Sequence, residues 1–345
     1  MTIALHISAD TFAAFGANFN YDLAIHLALI NPDDHYILIY DSDLSTTNNL
    51  PSNCTVVHSG PVIKNQLSKY YWYNYKLPSL IRKYDVQLLI PHPGSFCSNC
   101  TISQFYCIQE EQKKRSKKIL AANTAKFIAA SIAVLHTGTF KGVEYSGKKH
   151  VEIPFGLSPY FKPLDFEAKE NVKKKYASEH EYFFTIINEG EQEYFRTLLR
   201  AFSHFKKWQK SALKLIVLVK VNPINDLHLY KFRDDVILIF EKELSLQEKG
   251  ALMASAYANI VYTQVEAVAS VKCHIPAIRI SGNDNQNEAT LYATPDEKDI
   301  SKNIILIYKD EQLRNQLIEA CRQLSLKYTW ENSAAVADVL IDSIQ

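Results

Sequence analysis

The chain has 345 residues, 47% of them hydrophobic, with a formal net charge of +1 and six cysteines. That length suits two domains, and the apolar fraction is ample for packed cores. Near-neutral charge gives no global field to recruit nucleic acid, so a nucleic-acid partner is not expected.

The first residues, MTIALHIS, have neither a basic leader nor a long apolar core, and they read as a first strand. No apolar run approaches the roughly 20 residues that span a bilayer. The expectation is a cytoplasmic chain with reduced cysteines. Cys97 and Cys100 have redox or metal spacing, but no second pair completes a zinc site. They read as ordinary loop and core thiols.

Short apolar runs alternate with helical stretches. Strands are expected at 2–7, 36–40, 55–58, 86–91, 104–108 and 118–122, and helices at 17–31, 66–83 and 123–134. Three prolines and a glycine in VEIPFGLSPYFKPLD, 151–165, break both periodicities. The alternation then restarts. A helix is expected at 166–177, a strand at 182–187, a helix at 191–209, and strands at 213–219 and 235–240. A helix at 245–256, a strand at 258–262, a helix at 265–272 and a strand at 277–281 follow. Helices at 297–308, 310–326 and 330–344 close the chain. This pattern predicts two doubly wound α/β domains, 1–155 and 166–328, joined by a linker at 156–165. The last helix, 329–345, is expected to return toward the first domain. Ligands of open α/β sheets bind at the carboxyl ends of strands, and two such domains facing each other predict a central cleft as the site.

Several stretches then resemble one family. TLLRAFSHFKKWQKSALKLIVLV, LSLQEKGALMASAYANIVY, CHIPAI and YKDEQLRNQLIEACRQLSLKYTWENSAAVADVL follow each other in the second half. FGANFNYDLAIHLAL, YDVQLLIPH and VEIPFGLSPYFKPL do so in the first. Together they resemble the retaining glycosyltransferases of family 4, which have the GT-B fold. The resemblance implies transfer of a sugar from a nucleotide-sugar to a glycan or lipid-linked acceptor in polysaccharide assembly, with no metal required. Charge grows on a diphosphate leaving group in that reaction, so cations and helix N-termini are needed around it.

The family's functional positions map onto altered residues. Its His-Asp pair falls at Gln109 and Glu110, its Arg-Lys element near Gln192 and Glu193 with Arg196 beyond, and its paired glutamates reduce to Glu266. The resemblance therefore makes Gln109, Glu110 and Glu266 the catalytic candidates. Gly16, Asn18, Gly190, Arg196, Lys220, Gln264, Glu266 and Gly282 are the candidates for holding the donor. The altered motifs leave a second function open, a non-catalytic relative that binds a glycan, a nucleotide or a partner protein.

Individual residues keep two readings. Glu266 either bonds a donor ribose or serves as a first-turn carboxylate. Gln109 and Glu110 either meet the acceptor or end a strand. Arg196 and Lys220 either face a diphosphate or lie on solvated surface. Asp41-Ser-Asp43 has a metal-binding spacing but reads better as a turn cap. His136, beside Gly138 and Gly142 in an expected loop facing the cleft, is a candidate acceptor contact. The basic run at 110–118 either docks on an anionic membrane or is a solvated helix face. The aromatic run YYWYNY, 70–75, reads as core, and 281–285 as either a turn or a ligand loop.

Overall fold

The structure, a computed structural model, describes residues 1–8, 15–41, 50–59, 66–108, 126–137, 149–220, 227, 230–280 and 287–343. The chain divides into two compact units, Met1–Leu157 with Tyr328–Gln345, and Ser158–Lys327.

Unit 1 is built on seven parallel strands: β1 (Thr2–Ile7), β2 (His35–Tyr40), β3 (Cys54–His58), β4 (Leu88–Ile90), β5 (Ser103–Ile108), β6 (Ala133–His136) and β7 (Lys149–Glu152). Their order is β3-β2-β1-β4-β5-β6-β7. Strand order therefore reverses between β1 and β4. The central strands are buried along almost their whole length, as in YILIY of β2, which is why they read as unbroken apolar runs. Helix α1 (Phe19–Ile30) covers β1 and β2, while α2 (Gln66–Tyr71) runs through a π-helical turn (Trp72–Lys76) into α3 (Leu77–Lys83).

Unit 2 has six parallel strands: β8 (Tyr182–Ile187), β9 (Lys214–Val219), β10 (Val236–Phe240), β11 (Ala258–Val261), β12 (Ala277–Ile280) and β13 (Thr290–Ala293), ordered β10-β9-β8-β11-β12-β13. The reversal falls between β8 and β11. Its helices are α4 (Phe166–Ala177), α5 (Gln192–Gln209), α6 (Leu246–Ser255), α7 (Gln264–Lys272), α8 (Glu297–Lys309) and α9 (Glu311–Ser325). Phe195, Leu198, Leu199, Phe202 and Phe205 make the buried face of α5 at helical spacing, packed on β8 and β9. The last helix, α10 (Trp330–Asp342), belongs to unit 1. It packs on α1, where Ser333 Oγ donates to the Pro154 carbonyl and Asn31 Nδ2 to Asp338.

Both units are doubly wound Rossmann-like domains. Four expectations need correction. The helix expected at 123–134 ends by residue 130, and β6 occupies 133–136. Ala133, Val134 and Leu135 are buried against β5, and the sheet takes up what looked like the end of a helical pattern. β13 was not expected at all. Its TLYA is only half buried and makes no continuous apolar run. Residues 149–152 pair with β6 as a seventh strand where no strand was expected. Finally, Cys97 and Cys100 are joined by a disulfide instead of being free thiols. The backbone between them brings their Cα atoms to 5.6 Å, within bonding reach. The strand expected at 118–122 lies outside the described residues.

Candidate functional site

Each unit gathers polar side chains at the carboxyl ends of its strands, next to the point where strand order reverses. That is where open α/β sheets offer a crevice.

In unit 1, the centre is His6 at the end of β1. Its Nδ1 lies 2.6 Å from Tyr73 Oη, and its Nε2 lies 3.4 Å from Asp41 Oδ2, just past β2. The ring stacks on Trp72, with centroids 4.1 Å apart, and His92 beyond β4 is 5.8 Å away. The π-turn is what aims Trp72 and Tyr73 inward together while leaving Tyr70, Tyr71 and Tyr75 exposed. The aromatic run is therefore partly core and partly surface.

Burial lowers the His6 pKa, which outweighs the pull of Asp41, and pushes His92 down to about 3. Both imidazoles are neutral at pH 7. Burial also pushes Asp41 up, but the His6 and Ser8 hydrogen-bonding groups win and hold its carboxyl below the usual range. A neutral imidazole between a phenol and an ionised carboxylate can pass or accept a proton. Asp41, one half of the Asp-Ser-Asp spacing, thus faces inward against His6, and Asp43 lies outside the described residues. Among the described residues, no cluster of three His, Cys, Asp or Glu side chains is arranged to hold a metal ion.

Gly16 and Asn18 stand beside this cluster. Gly16 has φ +63°, a left-handed turn that glycine adopts without strain. Asn18 caps α1: its Oδ1 accepts from Tyr21 N at 3.2 Å, its Nδ2 donates to Ser8 O at 2.7 Å, and its own N donates to Asp22 Oδ2 at 2.7 Å. Asn20 Nδ2 donates to the carbonyls of His6 and Pro91, tying the ends of β1 and β4 together.

Burial raises the Asp22 pKa from 3.8 to about 6, against the Asn18 amide and His26, which lower it. Native Asp22 thus prefers its proton. Its stabilising contribution is full below pH 3.8 and is lost as pH rises through about 6. Asp22→Asn, which mimics the neutral acid, should be more stable than the parent at pH 7.5 by about 3 kcal/mol, and equal to it near pH 3.5. Urea melts of both proteins at the two pH values check this. An unchanged gap would refute it.

In unit 2, the set forms around β8, β9, β10, β11 and β12. Gly190, after β8, has φ +85° with open space where a Cβ would stand. Next to it, Glu191 is buried and turned back, its Oε2 accepting from Asn188 N at 2.8 Å. Arg196 lies one turn into α5 and pairs with Glu193 at 2.6 Å. Lys220, past β9, is 3.8 Å from Glu241, past β10, and the same carboxylate holds buried Lys249 of α6 at 2.9 Å.

Thr263, Gln264 and Glu266 open α7. Thr263 Oγ1 accepts from Glu266 N, while Glu266 Oε2 accepts from Tyr262 N at 2.8 Å and Thr263 N at 3.1 Å, a capping box. Glu266 is 3% exposed. The first-turn carboxylate reading is therefore realised in its geometry. Gln264 Oε1 accepts from Arg279 Nη1, an arginine buried on β12. Tyr262 is 38% exposed and lies beside half-buried Tyr194, centroids 5.0 Å apart.

Among the sequence candidates, Gly190, Lys220, Gln264 and Glu266 all stand at the carboxyl ends of the unit 2 strands. Arg196 is on the first turns of α5, and Gly16 and Asn18 are in unit 1. Gln109, Glu110 and Gly282 lie outside the described residues, as do Gly138, Gly142, 281–285 and the 110–118 run. His136 ends β6, with its ring 6.4 Å from that of His150. His6, His92, Lys249 and Arg279 were missed, while Asp41 was read as a turn cap and Tyr73 as core. Arg279 did carry a signal: it is the charged residue inside a buried strand, AIRI.

No family model matches the chain, and no curated protein matches it in sequence. Solved structures do resemble it. A glycosyltransferase from Rickettsia africae ESF-5 superposes with a TM-score of 0.68 at 14% identity, covering 99% of this chain and 97% of that one. Anabaena Alr3699/HepE, solved with UDP and glucose, gives 0.69 at 11%, covering 99% and 100%. WaaG, a glycosyltransferase involved in lipopolysaccharide biosynthesis, gives 0.67 at 10%, covering 98% and 99%. At such identities the likeness defines the fold: two parallel-sheet Rossmann-like domains of the GT-B type.

Proposed function

We propose that the protein is a glycosyltransferase that takes its sugar from a nucleotide-sugar, with UDP-glucose as the first donor to try, and passes it to a glycan or a lipid-linked acceptor in polysaccharide assembly. The observation that carries this reading is the set of cations, Lys220, Lys249 and Arg279, at the carboxyl ends of the unit 2 strands. It lies in a fold shared over nearly its whole length with glycosyltransferases, one of them solved with UDP and glucose. Lysine and arginine there would meet the charge that grows on a departing diphosphate, and a metal is not required for that step. Gly190 leaves room for a phosphate to approach the backbone. In unit 1, neutral His6 with Asp41 and Tyr73 would handle the acceptor's proton.

A second reading is a relative that binds the nucleotide-sugar without transferring it. It is favoured by the carboxylates already seated among those cations, Glu241 on Lys220 and Lys249 and Glu193 on Arg196. Calorimetry with UDP-glucose, followed by an assay for released UDP, separates the two. Binding with turnover is expected. Binding without release of UDP over hours would support the second reading, and no binding to any nucleotide-sugar would refute both.

Lys220→Ala should weaken donor binding about ten-fold, the loss of one charge-assisted contact. Glu266→Gln is the sharper variant, because glutamine at the third helical position preserves the capping box. It should leave the melting temperature within a degree or two yet cut turnover at least ten-fold. Parental turnover in Glu266→Gln would reduce Glu266 to a helix cap.

A further inference from the structure

The outer face of helices α5 and α8 carries a pattern that the transferase reading does not use. Along α5, Arg200, His204, Lys207 and Trp208 recur at i, i+4, i+7 and i+8, so they share one exposed stripe. Along α8, Lys298, Lys302, Ile305, Leu306 and Lys309 recur in the same rhythm. The two helices pack on each other, and between them lies a groove of about 310 Å³ lined by His204, Trp208, Lys298, Ser301, Lys302 and Ile305.

Two features set this face apart. One is charge. The whole chain nets only +1, yet Arg200, Lys207, Lys298, Lys302 and Lys309 all stand exposed here. The acids of α8 keep their charge but lie at its two ends in local bonds: Asp296 caps the helix through Lys298 N and Asp299 N, Glu297 lies 2.9 Å from His204, Asp299 accepts from Thr294 N and Oγ1, and Asp310 caps α9 through Leu313 N. The other is the apolar content. Trp208 is 70% exposed and Leu306 38%, with half-buried Ile305 between the lysines. A monomer gains nothing by placing an indole in water. An indole ringed by lysines, with aliphatic side chains beside it, matches the headgroup boundary of a lipid bilayer. A single-stranded nucleic acid would use the charges and the indole but would have no use for the aliphatic residues.

We infer that the α5–α8 face of unit 2 docks on a bilayer containing anionic lipid, with Trp208 inserted at headgroup depth and the lysines on lipid phosphates. Among the described residues no helix is long and apolar enough to cross a membrane, so this is attachment to the surface. The inference does not rest on the nucleotide-sugar reading and stands or falls separately from it.

The test uses the full chain with vesicles of phosphatidylcholine alone and with one-third phosphatidylglycerol. The three tryptophans make it selective, since Trp72 and Trp330 are buried and Trp208 is exposed. Expected results are sedimentation with the anionic vesicles only, weakening with added salt, and a blue-shifted emission that brominated lipids quench. Lys298→Glu combined with Lys302→Glu should lower the partition coefficient at least ten-fold, at roughly a factor of five per basic residue removed. Trp208→Phe should remove the quenched component. Both sets of residues are on the surface, so the parental circular dichroism should persist and confirm that folding is intact. Equal binding to neutral vesicles, no binding to anionic ones, or undiminished binding by the double-glutamate variant would overturn the inference. So would displacement of the vesicles by millimolar inorganic phosphate, which would identify a site for free phosphate, or by a single-stranded oligonucleotide.

Discussion

Gly250→Ala should lower the melting temperature by roughly 5–10 °C, although alanine is the better helix former. On propensity alone the change would gain about 1 kcal/mol, since Gly250 is inside α6. The third dimension reverses that sign. A Cβ at 250 would stand 2.4 Å from the carbonyl oxygen of Tyr160 and 2.9 Å from its carbonyl carbon. Both are backbone atoms of the segment entering unit 2, which cannot swing aside as a side chain can. Forcing them apart costs about 3 kcal/mol net, in the range of overpacked interiors. In a unit of this size each kcal/mol moves the melting point by about 2–4 °C. The matching surface control is Gln247→Ala in the same helix, where residue 247 is exposed and the change should be near neutral. Thermal melts by circular dichroism read both. A Gly250→Ala protein as stable as the parent would mean that α6 and residues 160–161 are further apart than described.

The second large effect is expected at Glu241. Its carboxylate contacts buried Lys249 at 2.9 Å and lies 3.8 Å from Lys220. Burial lowers the Lys249 pKa, and Glu241 is the first of the groups that raise it again. Glu241→Ala removes the carboxylate and leaves the ammonium in its low-dielectric pocket. Breaking such a pair from one side costs about 3 kcal/mol, more than the pair itself contributes. Glu241→Ala with Lys249→Met should recover most of that loss, because methionine fills a similar volume without a charge. Urea melts of the parent, both single variants and the double variant complete the cycle. Additive losses in the double variant would show that the two side chains are not coupled.

These two predictions also show where sequence reading stops. The strands were legible because a strand buried on both faces is a near-continuous apolar run, as in YFFTII and LKLIVLV, broken only by Thr185 and Lys214. Helix starts were legible where the capping chemistry is local, as in the box from Ser245 to Glu248 and the one from Thr263 to Glu266. The bland helix behind Glu266 has a local explanation too. Ala267, Ala269 and Ser270 keep it thin, so Ser270 Oγ can donate to the Ile275 carbonyl and accept from Asn259 Nδ2 on β11. β6 and β13 were not legible, because AVLH continues the helical pattern before it and TLYA is only half buried, so neither makes the fully buried run that gave away the equally short β11 and β12.

The site divides the same way. The resemblance singled out Gly190, Lys220, Gln264 and Glu266, which lie near strand ends in the linear sequence. His6, Asp41, Tyr73 and His92 come from four segments, none of which points to the others along the chain. They meet because parallel pairing brings the ends of β1, β2 and β4 to one edge, and a π-turn adds the tyrosine. Composition, apolar runs and caps thus decided that this chain forms two parallel α/β sheets. Which charges face each other was decided by strand order and burial, because the pKa of a side chain depends on neighbours that lie dozens of residues away along the chain.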